Sequence, residues 1–246
     1  MKRLITIPLL FLSVLMFGQI GRYPFYRGSG AVDDGIPDVL NANTVAWYVA
    51  SADNITEIND SLTVWNDISG NDYHLLSNFG QTGRPIFRGD SVIFDGDNDR
   101  AVIEITGLSQ PHQIYAVIRQ ESWTDGEGLF SGFSNANGVI QQYGTTPNIL
   151  AYSGGVSSEL SYAAIGEWVV LRIVFSGASS KIQIDTETAV TGNFGTGVMD
   201  GIHLGRISTQ AVYGNFSIKE FILRSIDDTD DDETAIYNYL VTKYGL

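Results

Sequence analysis

The sequence predicts an all-β domain closed by one short helix, and three observations carry that expectation. Gly is abundant, at 27 of 246 residues, while charged residues make up only 17%. Many short strands joined by Gly, Asn, Asp and Ser turns give that balance. Short apolar runs separated by such turns recur from Thr44 onward, and helical spacing appears at the C-terminal end. A hydrophobic content of 43% supplies enough apolar surface for a core and argues against disorder.

The elements follow in order. Val45–Val49 is apolar throughout and reads as a buried strand. Ser91–Asp95 and Ala101–Ile105 flank the Asp95-Gly96-Asp97-Asn98-Asp99 turn and are expected to pair as a hairpin. Gln113–Arg119, Gly128–Phe133, Val139–Tyr143 and Ile149–Tyr152 read as further strands. Trp168–Phe175 is apolar on both faces and is expected to be central in its sheet. Lys181–Asp185 and Ile202–Gly205 come next. In Phe216–Leu223, Phe216 and Ile218 share one face while Phe221 and Leu223 have the opposite parity, which a bulge near Lys219-Glu220 reconciles. The chain ends in a helix. Asp230–Glu233 supply the N-cap and first-turn acids, Ile236, Tyr239 and Leu240 form an apolar face, and Lys243 and Gly245 form a stop signal. The acids between Asp227 and Glu233 are read as capping in the main, with a cation site as the weaker alternative.

At the other end, Lys2-Arg3, the apolar run Leu4–Phe17 and small Gly18 read as a signal peptide over 1–18. The run is shorter than the ~20 residues needed to span a bilayer. The expected location is secreted or cell surface, with no membrane span once the leader is removed. Residues 19–43, with Pro24 and Pro37, are expected to form an extended arm or linker ahead of a domain over 44–246. Tyr23, Phe25 and Tyr26 pack on the domain edge or dock another subunit, so residues 20–43 are a candidate route to an oligomer.

The net charge is −14, falling to −16 without Lys2 and Arg3. This argues against a nucleic-acid partner, whose phosphates require clustered Lys and Arg. There is no cysteine, so disulfides and thiolate metal sites are excluded.

Val64-Trp65-Asn66-Asp67-Ile68-Ser69-Gly70-Asn71-Asp72-Tyr73-His74-Leu75, then Phe94-Asp95-Gly96-Asp97-Asn98-Asp99, resembles the concanavalin A-like (laminin-G-like) superfamily, in its bacterial exported form. The tail agrees, with Phe216–Phe221 followed by Lys243-Tyr244-Gly245-Leu246. Over roughly residues 44–246 the resemblance implies a two-sheet antiparallel jelly-roll sandwich with a short C-terminal helix. It leaves the function open, since that fold hosts lectins, glucanases, adhesion modules and virion parts.

Candidate sites are few. Asp95, Asp97 and Asp99 place oxygens at alternate positions, as calcium loops do. Against a calcium EF-hand, Arg100 occupies the glycine position and Thr106 the place of the bidentate Glu. The alternative, which the resemblance favours, is a turn whose Asp and Asn bond their own backbone. Possible Ca2+ is the only cofactor expected. Gln183-Ile184-Asp185-Thr186-Glu187 is similar to the Glu-x-Asp-x-Glu strand of laminarinase-type glucanases, but Gln183 is an amide and cannot serve as nucleophile. There is no nucleophile elbow, phosphate loop or His-Glu-x-x-His stretch. His74, His112 and His203 are widely separated, and His74 reads as a packing residue. Trp47, Trp65 and Trp168 read as core. Trp123 lies in the polar loop Glu121–Gly126 and, with Asp125, Tyr143, Tyr152 and Tyr213, makes a candidate sugar-binding surface. The alternative is that Trp123 covers a core edge. The leading expectation is therefore an exported, non-catalytic binding module for glycan or a surface protein, and not an enzyme. A structural component of a virion or cell-surface layer comes second and a glycoside hydrolase third.

Overall fold

A computed structural model describes residues 35–246 apart from 79, 155 and 156. The expected signal peptide 1–18 and the arm as far as residue 34, with Tyr23, Phe25 and Tyr26, lie outside the described residues. The folded unit begins at Gly35, ahead of the expected boundary at Thr44. Asp38–Asn41 form a 3-10 turn whose Leu40 is buried, and Arg224 Nη1 donates to the carbonyls of Val39 and Ala42 at 3.0 and 2.9 Å. This part of the expected linker is thus built into the domain.

The strands are β1 Thr44–Val49, β2 Ile55–Ile58, β3 Ser61–Trp65, β4 Leu75–Leu76, β5 Ile86–Phe87, β6 Val92–Asp95, β7 Ala101–Leu108, β8 His112–Gln120 and β9 Gly128–Ser131. They continue as β10 Val139–Gln142, β11 Asn148–Tyr152, β12 Ser157–Tyr162, β13 Val169–Phe175, β14 Ser180–Ile184, β15 Val190–Gly192, β16 Met199–Leu204 and β17 Asn215–Arg224. The helix α1 spans Asp230–Tyr244.

All pairings between these strands are antiparallel. From β15 the ladder runs through β14, β13 and β8 to β17. The other edge of β17 is shared, its first half pairing with β6 and its second with β1. The ladder continues from β6 through β5, β3, β4, β7, β16, β9, β10 and β11 to β12. There β12 comes alongside β14 and β15, so the sheet is nearly closed and barrel-like. Closure protects edges that would otherwise be exposed.

The interior holds one apolar cluster that includes Tyr48, Trp65, Phe94, Phe130, Leu171 and Phe221. A second cluster lies outside the barrel, where Ile236, Tyr239 and Leu240 of α1 pack on Trp47, Tyr115, Val117, Val170 and Ile222. The strands β1, β8, β13 and β17 are therefore covered on both faces, and all seven residues of β13 are buried, as the double-sided apolar run requires. The bulge expected near Lys219-Glu220 is present: Ile218 faces Ile118, Glu220 faces Val117, and Lys219 is the extra residue.

Two expectations are corrected. The segments on either side of the Asp95–Asp99 turn do not pair with each other. β6 joins β5 and β17, whereas β7 joins β4 and β16. The turn is a corner wedged between two neighbours. A Cβ on Gly96 would lie 2.8 Å from Asn215 Cβ, and one on Gly205 (φ +94°) would lie 2.2 Å from the Asp99 carbonyl oxygen. The helix N-cap is Thr229 rather than an Asp, since its Oγ1 accepts from Asp232 N at 3.2 Å. The four acids fill the first turn, and Gly245 ends the helix at φ 67°.

The motif Trp65–His74 is a structural staple. Asp67 Oδ1 accepts from Trp47 N and Ser69 N at 2.9 Å, and Oδ2 from Ser69 Oγ and Tyr73 N at 2.8 and 3.1 Å. His74 Nδ1 accepts from Asp67 N at 3.0 Å, so its role is in packing, as expected.

Candidate functional site

The expected sugar-binding residues are only partly brought together. Trp123, Asp125 and Tyr143 share one loop cluster. Trp123 Nε1 donates to the Asn148 carbonyl at 2.9 Å, Asp125 Oδ1 accepts from Gly144 N at 2.8 Å, and Tyr143 is exposed. The half-buried Trp123 is thus pinned onto the end of β11. Tyr152 sits at the opposite end of β11, and burial pushes its phenol up. Tyr213 lies beside Gly128, and its hydroxyl accepts from Arg206 Nη1 at 3.1 Å. Tyr152 and Tyr213 thus lie on other segments than the Trp123 loop.

The calcium expectation at Asp95, Asp97 and Asp99 is also corrected. Asp95 Oδ1 accepts from Asp97 N and Asn98 N at 2.8 and 3.3 Å, while Asp99 Oδ2 accepts from Asp95 N at 3.1 Å. The carboxylates close the turn on itself. Among the described residues no group of three or more His, Asp or Glu is arranged to hold a metal ion. Burial, followed by the charge of Asp95, raises Asp99 to about 7. The glucanase-like segment is not one strand either: β14 ends at Ile184, Asp185 takes φ +45°, and Glu187 N returns to the Ile184 carbonyl at 2.9 Å.

A more concentrated arrangement lies where β13 and β14 meet α1. A cleft of about 440 Å³ is lined by Glu167, Trp168, Asp185, Tyr237, Gly245 and Leu246, a volume in the range of small-ligand sites. Each lining side chain is placed by its own element. Trp168 precedes β13, with the Arg119 guanidinium 4.9 Å and Lys219 Nζ 4.7 Å from its ring centre. Asp185 follows β14, and its Oδ1 accepts from Val170 N at 2.7 Å. Tyr237 comes from the middle of α1.

Arg172 joins the last two. Its guanidinium lies 4.5 Å from the Tyr237 ring centre, Nη2 donates to the Asp185 carbonyl, and Nη1 donates to Glu233 Oε1 at 2.9 Å. Burial is the main cause that raises Asp185 above the usual carboxylate range. Glu187 adds to this, while the Val170 N–H and Arg172 oppose it. Burial and then Asp185 push the Tyr237 phenol up. The cleft thus combines a half-buried carboxyl whose pKa burial raises, an exposed second carboxylate and two aromatic walls.

Sequence reasoning read Trp168 as core, and the residue does pack, half-buried, against the cluster beneath α1, but its remaining surface lines the cleft. Residue 168 opens the apolar run and follows the polar pair Gly166-Glu167, which was the available signal. A second cleft, of about 420 Å³, is lined by Lys181, Asp227, Asp228 and Asp230 among others. Its acids are committed in part, because Asp228 accepts from Arg224 and from the Tyr115 hydroxyl. No helix among the described residues is long and apolar enough to cross a membrane.

No protein-family model matches the chain, and no curated protein does. Solved structures do. The chain is similar to the Trypanosoma rangeli sialidase over 82% of its own length and 33% of that chain, at 11% identity and a TM-score of 0.59. An arabinofuranosidase complexed with arabinofuranosyl-α-1,2-xylobiose matches over 74% of this chain and 50% of that one, at 14% identity and a TM-score of 0.56. Domain 4 of an extracellular GH43 arabinanase from Geobacillus stearothermophilus, in complex with arabinotriose, matches over 80% of this chain and 98% of that one, at 14% identity and a TM-score of 0.52. The chain spans a third of the length of the sialidases it matches. These matches correct the leading expectation of a non-catalytic binding module that is not an enzyme, along with its virion alternative, because the neighbours come from glycoside hydrolases. At such identities the likeness itself is one of fold.

Proposed function

We propose that the chain is a carbohydrate-active domain of the glycoside-hydrolase class and that the cleft between β13, β14 and α1 holds the saccharide. The observation that carries this reading is the convergence of two carboxyls, Asp185 and Glu167, with the rings of Trp168 and Tyr237 on one cleft. Glycoside hydrolysis uses a protonated carboxyl to deliver a proton to the departing oxygen and a second carboxylate to assist. Asp185 takes the first role here and Glu167 the second, while the two rings wall the apolar faces of the sugar. The matched arabinanase, arabinofuranosidase and sialidase chains, by their names, act on glycans, which supports the class. The finer architecture belongs to the same proposal. The ladder folds into two facing layers in a jelly-roll path of the concanavalin A-like type, and this is supported by the Trp65–His74 staple and the bulge at Lys219. Export through the 1–18 leader to the outside or the cell surface agrees with a glycan substrate.

The test is release of reducing ends by the full chain from arabinan, arabinoxylan oligosaccharides and sialyllactose. Turnover on one of these, reduced about 100-fold or more by Asp185→Asn, is the expected result. No turnover on any of them, or turnover indifferent to Asp185→Asn, would overturn the assignment.

A further inference from the structure

The charges around the cleft select among saccharides. Among the described residues its lining holds two carboxyl side chains, Glu167 and Asp185, and no lysine or arginine. The cations nearby are already engaged. Arg119 donates to Glu121 through Nε and Nη2 at 2.9 and 2.6 Å. Lys219 pairs with Asp90 at 2.7 Å. Arg172 is divided among Glu233, the Asp185 carbonyl and the Tyr237 ring. Lys243, in the last turn of α1, pairs with Glu220 at 2.7 Å. No ion pair reaches Glu167 or the Asp185 carboxylate among the described residues. The whole chain adds to the bias, with 28 acids against 14 Lys and Arg.

Recognition of a sugar carboxylate requires an opposing cation, best a bidentate arginine, in a desolvated place. A carboxylate brought into this cleft would instead meet Glu167, while the guanidinium groups beside its walls are held by Glu121, Glu233 and the Asp185 carbonyl, and the repulsion would be stronger where solvent is partly excluded. We infer that the cleft is specific for neutral saccharides and rejects carboxylate-bearing ones such as sialosides or uronides. The inference rests on the cleft being the saccharide site.

The experiment is calorimetric titration of the full chain with arabinotriose and with sialyllactose, at low salt and at high salt, repeated on Glu167→Gln. Glu167 is exposed, so the amide variant keeps the fold. Neutral-ligand binding at least about tenfold tighter than sialoside binding is expected at low salt, narrowing as salt screens the repulsion. Glu167→Gln should narrow the ratio of the two affinities several-fold, whatever its effect on either affinity alone. Equal or tighter binding of sialyllactose, or a ratio blind to both salt and Glu167→Gln, would overturn the charge selection while leaving the cleft as the saccharide site. Binding of neither sugar would overturn both. Neutral-sugar binding unchanged by Trp168→Ala and Tyr237→Ala would also overturn both, by locating the site elsewhere.

Discussion

The two faces of the β1–β17–β8–β13 layer are held by different physics. The face turned into the barrel presents Tyr48, Ile114, Ile118, Leu171 and Phe221 to an apolar interior. The face turned to α1 alternates apolar residues with Gln113, Arg172, Glu220 and Arg224, all buried. Each buried charge there is matched. Arg224 makes two hydrogen bonds to Asp228 at 2.6 and 2.7 Å, and Glu233 takes both Arg172 and Lys181. Glu220 accepts from Trp47 Nε1, the Tyr239 hydroxyl, Lys243 Nζ and the Tyr244 hydroxyl. Shape decides the first face, and charge pairing decides the second. Buried charges add little net stability but penalise every wrong register. Glu233 anchors the first turn of α1, and Tyr239, Lys243 and Tyr244 anchor its end. Tyr237 lies between these anchors, so the same pairing that fixes the helix also fixes one wall of the cleft.

The largest effect that tests this contrast is Arg224→Met. It leaves the Asp228 carboxylate buried without its cation and removes the donor shared by Val39 O, Ala42 O and Thr44 Oγ1. A loss of about 3–5 kcal/mol is expected from denaturant titration. Adding Asp228→Leu should recover a large part of it, because the stranded charge is then gone. Failure of the second change to rescue would mean that the outer face depends on shape after all. Phe221→Ala supplies the inner-face counterpart. Its ring meets Phe130 edge-on at 5.4 Å and Tyr48 at 6.3 Å, and truncation should lose about 3 kcal/mol with no single polar change able to restore it.

This contrast explains what could be read from the chain alone. β13, the bulge at Lys219 and the stop of α1 were legible because each is written in local periodicity or cap chemistry. The expected hairpin around Asp95–Asp99 failed because strand partners are chosen by long-range contacts, here Asn215–Ile218 and Ala101–Glu104 with their separate neighbours. β4 and β5 were missed since two residues carry no period. The cleft drew Trp168, Asp185 and Tyr237 from three elements far apart in sequence, so no motif announced it.

Acidity acts on buried groups elsewhere in the fold, His112 in β8, His203 in β16 and Asp99 in the turn after β6. Burial lowers His112 and His203 to about 4, whereas Asp99 is raised to about 7. Between pH 6.5 and 4 the histidines take protons only in the unfolded chain, so their contribution is lost as pH falls. Asp99 has the opposite sign. It holds its proton in the folded chain below about 7 while its unfolded counterpart ionises above about 4, so its contribution grows as pH falls through that window. Asp99→Asn should therefore make the midpoint temperature fall more steeply between pH 6.5 and 4 than in the parent, and raise stability at pH 8. A parallel pair of curves would show that Asp99 does not titrate as its burial implies.

Lys243→Met should have the smallest effect and gives the sharpest comparison within the outer face. The Lys243 side chain is 31% exposed, whereas that of its partner Glu220 is 1% exposed. Removing it leaves Glu220 with three neutral donors, Trp47 Nε1 at 2.7 Å, the Tyr239 hydroxyl at 3.1 Å and the Tyr244 hydroxyl at 2.6 Å. A carboxylate that keeps three hydrogen bonds is still largely compensated, and a partly solvated ammonium was already screened. The expected loss is about 1 kcal/mol, read from the same denaturant titrations. If Lys243→Met instead proves as damaging as Arg224→Met, the helix end is held by its net charge rather than by its donor count. Glu220 and Asp228 would then be equivalent anchors, despite one being served mostly by neutral groups and the other by a guanidinium.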